Sequence, residues 1–281
     1  MTQMVSRAFA VRGSLQLRAA RDAAGRTVLI HRHASGGFHL SKPYWDGRAL
    51  LVQWINPTAG IFSGDHLESE VIVEPGAALL LTTPSATRIH TRPRPGQPPG
   101  VQVQRFYVMQ DAVLEVQPEL LIPQRHSAFV QKTVIELEAG ASLYFAELLA
   151  PGRVAHGESL CFDSLDLRVV VKMEGRRVVQ ERLLAGGETA FWKLQDARGQ
   201  ANFTATFYLR LPGREKELLQ NVRQLVQETN AVTAGATLLN EGLVLIRATA
   251  PAALELRELN HALRRRVNAL DERLGRSARK L

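Results

Sequence analysis

Residues 74–84 read EPGAALLLTTP, and two later stretches echo them: MQDAVLEVQPE at 109–119 and EAGASLYFAELL at 138–149. Each sets a turn before an alanine, then an alternating apolar run, then a polar or proline exit. The turn alanines fall at Ala77, Ala112 and Ala141, a unit of about 30 residues, in the range of stacked and solenoid-like sheets. The echo predicts similar hairpins stacked side by side, with their exits on one edge.

The same period of two runs outward from these stretches, from residue 14 to residue 211. SLQLRAA, TVLIHRH, ALLVQWI, SEVIVE, VQVQRFYV, FVQKTVIELE, LDLRVVVKM, RVVQERLL and NFTATFYLRL all read as strands between Gly, Pro, Asp and Asn turns. Strands at this density without intervening helices argue for antiparallel pairing rather than βαβ units. The expected fold class is mainly β: a large stacked, solenoid-like antiparallel or mixed sheet assembly.

After Leu211-Pro212-Gly213 the pattern turns helical. Leu218, Val222, Leu225 and Val226 form one stripe, predicting a helix over about 214–229. A short strand pair follows in GATLLNEGLVLIRA, turning at Asn240-Glu241-Gly242. Leu256, Leu259, Leu263, Val267, Leu270 and Leu274 then mark a second helix over about 252–274, with Pro251 at its first turn and Gly275 just past its end. No Pro/Ser-rich linker separates the helices from the strands, so residues 1–281 are expected to form one domain.

Composition narrows the function classes. A 45% hydrophobic and 22% charged chain is ordinary globular material. The lone Cys161 excludes an internal disulfide and cysteine-based zinc sites, and fits a reducing compartment. Neither the N-terminal stretch nor any later one has the apolar length of a signal segment or membrane span, so a cytoplasmic location is expected. The net charge of +8 points weakly to an acidic protein partner, because the arginines are scattered and lack the interleaved aromatics of a single-strand binder. The outer face of the second helix is basic in this reading, with Arg264 and Arg265 as candidate partner contacts beside Arg266 and Arg273.

Phosphate loops, GxGxxG, GxSxG and HExxH are all absent. His31 and His33 share one face of a strand, where imidazoles suit nickel, copper or zinc, although a solvated edge explains them as well. His90, His126 and His156 sit near strand exits or loops. Carboxylates carry more: Asp65, Glu119 and Glu147 each lie at or just past the end of an apolar strand, with Glu119 and Glu147 at matching exits of the echoed units. Such groups line a polar passage or a transient metal path, or else cap backbone N–H groups and pair with arginines. A carboxylate pair such as Glu119 and Glu147 also admits a carbohydrate-active enzyme, and a plain sheet-based interaction module without a metal role stays open.

The succession NPTAGIFSGDHL, PGAALLLTTPSATRIH, LEVQPELLIPQRHSAF, ELLAPGRVAHGESLCFDSLDLRVVV, GRRVVQERLL and GATLLNEGLVLIRATAP resembles the urease accessory family UreD, called UreH in some species. The likeness is collinear over about residues 12–275. It implies a largely β fold with two helices and a non-enzymatic scaffold without a permanently bound cofactor. It also implies UreF, UreG and the urease apoprotein as partners, and an internal polar tunnel that passes Ni²⁺ transiently. By position, the resemblance assigns Asp65, Ser85, Glu147 and Glu158 to the passage, with Asp65 and Glu147 as transient nickel contacts; Glu119 joins them from the strand-exit pattern. Two departures stand out: the family's Gly-Gly-Asp is Ser63-Gly64-Asp65 here, and its Lys-Phe/Ile-Tyr is Arg88-Ile89-His90.

Overall fold

The computed structural model describes residues 10–186 and 200–275. Part of the N-terminal stretch read above, residues 1–9, lies outside them. Strands β1 (Arg12–Arg21) and β2 (Thr27–Ser35) pair antiparallel. Then come β3 (His39–Leu40), β4 (Tyr44–Asp46) and β5 (Ala49–Ile55). From here the chain winds as a coil. One turn runs through β6 (His66–Val73), β7 (Ala78–Thr82) and β8 (Thr87–Ile89), and the next through β9 (Gly100–Val108), β10 (Val113–Gln117) and β11 (Leu121–Pro123). The third contains β12 (Ala128–Leu137), β13 (Ser142–Leu149) and the small hairpin of β14 (Gly152–Arg153) and β15 (Glu158–Ser159). Strand β16 (Ser164–Met173) starts a fourth, and β17 (Arg176–Gly186) folds back on it.

Equivalent strands of successive turns lie parallel. The first sheet has the order β17-β16-β12-β9-β6-β1-β2, and β5, β7, β10 and β13 form a parallel array in the second. This corrects two expectations. The central pairing is parallel, because the crossover between parallel neighbours is a strand of the opposite sheet rather than a helix. The echoed units are corners between the sheets, not hairpins: β6 and β7 flank one turn but pair with β9 and β10, not with each other. The corners stack by backbone bonds, Gly76 N–H donating to Gln110 O at 3.0 Å and Asp111 N–H to Ala139 O at 3.0 Å. Gly76, Asp111 and Gly140 take the same left-handed conformation (φ +69°, +55° and +70°), which glycine adopts without steric cost. Ala77, Ala112 and Ala141 follow, fully buried where the sheets converge.

The remaining elements extend the second sheet: β18 (Phe203–Arg210), then α1 (Glu215–Glu228), β19 (Thr233–Leu238), β20 (Val244–Ala250) and α2 (Ala253–Leu270). Strands β18, β19 and β20 pair antiparallel. Leu218, Val222 and Leu225 of α1 and Leu256, Leu259, Leu263 and Val267 of α2 pack into a core on the sheet's outer face. A second core fills the space between the sheets, and a third lies at the exit end of the coil around Ile61, Ile89, Phe129 and Leu165. No described helix is long and apolar enough to cross a membrane.

One assignment on α2 is overturned. Arg264 is not on an outer face: it is 4% exposed and paired with the fully buried Glu115. Its guanidinium also donates to Gly275 O at 2.6 Å, and Gly275 N–H donates to Glu115 at 2.9 Å. The cause is a charged residue at an inward position of β10's outer face, which needs a partner under the helix. Gly275 lies in this anchor, five positions beyond the helix end. Only Arg265 of the two candidates is exposed. Arg264→Ala leaves the Glu115 carboxyl buried beside no cation and should cost about 3–5 kcal/mol. Arg265→Ala should stay within about 0.5 kcal/mol. Denaturant unfolding of both variants checks this.

Candidate functional site: a polar layer between the sheets

Inward positions recur every second residue, so each strand of the coil can be followed into the space between the sheets. Val71 of β6, Phe106 of β9, Ile135 of β12 and Leu143 of β13 belong to the inter-sheet core. Toward the exit end the inward residues become polar. The register sets Ser69 beside Gln104 and Gln104 beside Thr133, and in the next rank Gln102 beside Gln131. Glu147 follows Phe145 on β13 by two, and Thr83 follows Leu81 at the end of β7. A polar layer thus separates the inter-sheet core from the apolar cluster at the exit end.

The layer is bonded within itself. Thr133 Oγ1 donates to Gln104 Oε1 at 3.1 Å, and Gln131 Nε2 donates to Glu147 Oε1 at 2.8 Å. Ser69 Oγ is buried without a protein partner among the described residues. A cavity of about 80 Å³ lies here, walled by Gln102, Gln104, Gln131, Glu119 and Glu147. A second, of about 230 Å³, runs beneath the 56–61 loop past Ser85 and Arg88. The two share Trp54, Thr83, Thr87 and Gln102 as wall residues. Their walls mix these polar groups with apolar side chains, and both are large enough for waters bound at the polar ones.

Burial pushes the Glu147 carboxyl up to about 7; the nearby Glu181 charge adds to this and the Gln131 amide opposes it. Glu181 in turn accepts from Tyr208 Oη at 2.5 Å and from the Arg247 guanidinium. Tyr208 is buried, which raises its phenol well above the ordinary range, and Glu147 adds to the shift. The group continues the layer from Glu147 toward the exposed side of β20. Glu181, Tyr208, Gln102, Gln104 and Gln131 were not singled out from sequence. The signal was present in the alternation: each is a polar group at an inward position of an apolar strand.

The expected site residues divide. Glu119 and Glu147 line the smaller cavity and Ser85 the wider one beside it, with Glu119 also bonded to Arg257 at 3.0 Å and, through its N–H, to Thr83 Oγ1 at 2.8 Å. Asp65 and Glu158 are not brought to these walls. The buried Asp65 carboxylate accepts the N–H groups of Val11 and Phe62, each at 2.8 Å. Glu158 takes Arg153 Nε at 2.8 Å and Arg125 N–H at 3.1 Å, and the Arg153 hydrogen bonds hold its carboxyl down at about 2. His66 turns to Glu68 at 2.8 Å, away from Asp65.

The other histidines are dispersed. His31 and His33 are exposed on β2, His126 meets Asp163 at 3.1 Å, and His156 is exposed. Described His, Cys, Asp and Glu residues nowhere gather in threes suited to a metal. The Ser63 departure is accommodated: the left-handed position is Gly64 (φ +83°), and Ser63 Oγ donates to Pro98 O at 2.7 Å. His90 stacks on Phe62 at 4.1 Å.

The family model described as UreD urease accessory protein matches residues 11–281. The chain belongs to the UreD family. Among curated relatives, a urease accessory protein UreD of Opitutus terrae is 40% identical over 260 residues, covering 90% of this chain and 92% of that one. One from Actinomyces naeslundii is 32% identical and covers 69% and 72%, and one from Mycolicibacterium gilvum is 29% identical and covers 80% and 81%.

The pH dependence of stability reports on the layer. With its folded-state pKa near 7, above that of the unfolded chain, Glu147 favours folding most when neutral. That contribution is complete in acid and lost as pH rises through about 7. Glu147→Gln, neutral throughout, should therefore gain on the parent protein between about pH 5 and 7. Unfolding midpoints across that range test this; a difference that does not change with pH contradicts it.

Proposed function

We propose that the chain is a urease maturation factor: a non-enzymatic scaffold that binds UreF, and through it UreG, and docks on apo-urease. In this reading the polar layer carries Ni²⁺, the cargo, toward the urease active site, and the work is done in the cytoplasm. The supporting observation is the layer itself, an internal row of amides, hydroxyls and carboxylates set between two apolar cores. Family membership supports the role in urease maturation.

The donors suit passage better than storage. Nickel prefers nitrogen and sulfur ligands, so amide and carboxylate oxygens hold it weakly. Glu147, titrating near neutrality, releases its proton as Ni²⁺ arrives, which offsets one of the ion's two charges. Ser85 lies along the wider cavity, and Glu119 lines the smaller one together with Glu147 and its amide partner Gln131. Asp65 and Glu158 act as braces for the exit-end loops, since their oxygens are already taken by backbone and guanidinium donors. Of the two candidate arginines of α2, Arg265 is the exposed one left for partner contact.

A glycoside-cleaving site is less well supported. The cavity that Glu119 and Glu147 share, about 80 Å³, is below the roughly 300–1,000 Å³ of ordinary ligand pockets.

Nickel loading is the test. Urease matured with Glu147→Ala should contain several-fold less nickel per active site, while the variant still co-purifies with UreF, UreG and urease. Asp65→Ala should instead lower both nickel content and docking, because it frees the loop. Normal nickel content with Glu147→Ala would sink the assignment.

A further inference from the structure

Strand β2 ends the first sheet on one side, where β1 is its only partner among the described strands of that sheet. It is covered at Thr27 and exposed from Ile30 to Ser35. Over the exposed part the register is regular: Arg18 lies opposite His31, Leu17 opposite Arg32 and Gln16 opposite His33. Leu17 points into the core between the sheets, so Gln16 and Arg18 stand on the outer face, and His31 and His33 stand there with them. Arg32, between the two histidines, belongs to the opposite face. The one irregularity of the pairing falls beyond Arg18, and leaves residues 31–33 in straight strand.

Two residues apart on such a strand, the histidine Cα atoms are separated by about 6.7 Å. Rotation about χ1 and χ2 then brings one nitrogen of each ring to about 3 Å from the other, the spacing that two metal–nitrogen bonds of about 2.0–2.1 Å require at neighbouring coordination positions. Both side chains are exposed, so this rotation displaces no packed neighbour.

The surroundings leave the rings to that use. His33 has no hydrogen bond or ion pair among the described residues, and His31 meets Gln16 Oε1 at 3.4 Å. A ring whose Nε2–H points at that oxygen keeps its Nδ1 lone pair for a metal, as ligating histidines do when their other nitrogen donates to an acceptor. Three other histidines are engaged instead: His66 with Glu68, His126 with Asp163, and His90 with Ala59 O and the Phe62 ring. Charge beside the pair is balanced. The Arg18 guanidinium is held by Glu74, and Glu70 lies opposite Gln16 on β6.

We propose that His31 and His33 form a surface site for one divalent ion of the borderline class, Ni²⁺, Cu²⁺ or Zn²⁺, with water in the remaining coordination positions. Imidazole suits all three, Cu²⁺ most tightly, whereas Mg²⁺ and Ca²⁺ take oxygen ligands. The site is independent of the ion-route reading. It lies on the outer face of the first sheet, and the polar layer is built from inward residues of β6, β9 and β12. Structural metal sites close four protein ligands around the ion. Two imidazoles with open water positions hold it loosely, so the site buffers the ion at the surface of the chain and does not store it.

The test is calorimetric titration of the purified full-length chain, free of any histidine tag, with Ni²⁺ and with Zn²⁺. His31→Gln and His33→Gln should each weaken the binding of one ion at least as much as loss of an outer-shell partner does, about tenfold or more. A large excess of Mg²⁺ should not displace that ion. His156→Gln, at an exposed histidine between β14 and β15, should leave it bound, and so should Glu147→Ala in the polar layer. Ni²⁺ should broaden the ring NMR signals of His31 and His33 before those of the other histidines. Unchanged binding in both His31→Gln and His33→Gln overturns the proposal, as does an equal loss in His156→Gln. Loss in only one of the pair overturns it too, since a single imidazole then holds the ion. The ion route is judged separately, by the nickel content of urease matured with Glu147→Ala.

Discussion

The hydrogen bonds between successive turns of the coil are the constraint from which the rest follows. Because β6, β9, β12 and β16 run parallel and in register, equivalent inward residues of each turn are stacked beside one another. A polar residue at one inward position therefore meets the same depth of the coil in its neighbours. Gln104 would be costly alone between two sheets. Beside Thr133 and Ser69 it becomes part of a bonded layer instead. Apolar cores lie above and below, and the layer brings amide, hydroxyl and carboxylate oxygens together between them.

Much of this architecture was legible in the residues. The turn alanines mark the corners, the strand exits do lie along one edge, and ALLVQWI and SLYFAELL coincide with β5 and β13. Both helices formed within a few residues of their apolar stripes, though α2 ends at Leu270 rather than 274. Pairing direction was not legible, because inward residues alternate with period two in parallel and antiparallel strands alike. Nor was the partner of each charge. Arg264 and Arg265 are adjacent in the sequence, and only the fold shows that one meets buried Glu115 while the other meets solvent.

The same limit shaped the reading of the site. Carboxylates at strand exits stood out, and Glu119 and Glu147 do share a cavity. Asp65 stood out equally, yet its two oxygens close the loop that presents Phe62. The glutamines share the alternation of their strands, but without the pairing an amide there reads as an ordinary solvent-facing residue. With Asp65 assigned to the loop, the segment 56–67 of the family likeness has a structural task.

The central claim is that the layer must be polar for nickel to cross. Gln104→Leu with Gln131→Leu replaces two of its amides by apolar side chains of similar volume, and the measurement is nickel bound per urease active site after maturation from purified components. The account predicts an intact, co-purifying complex that leaves urease at the nickel content of the unassisted apoprotein. Full nickel loading in the double variant would contradict it.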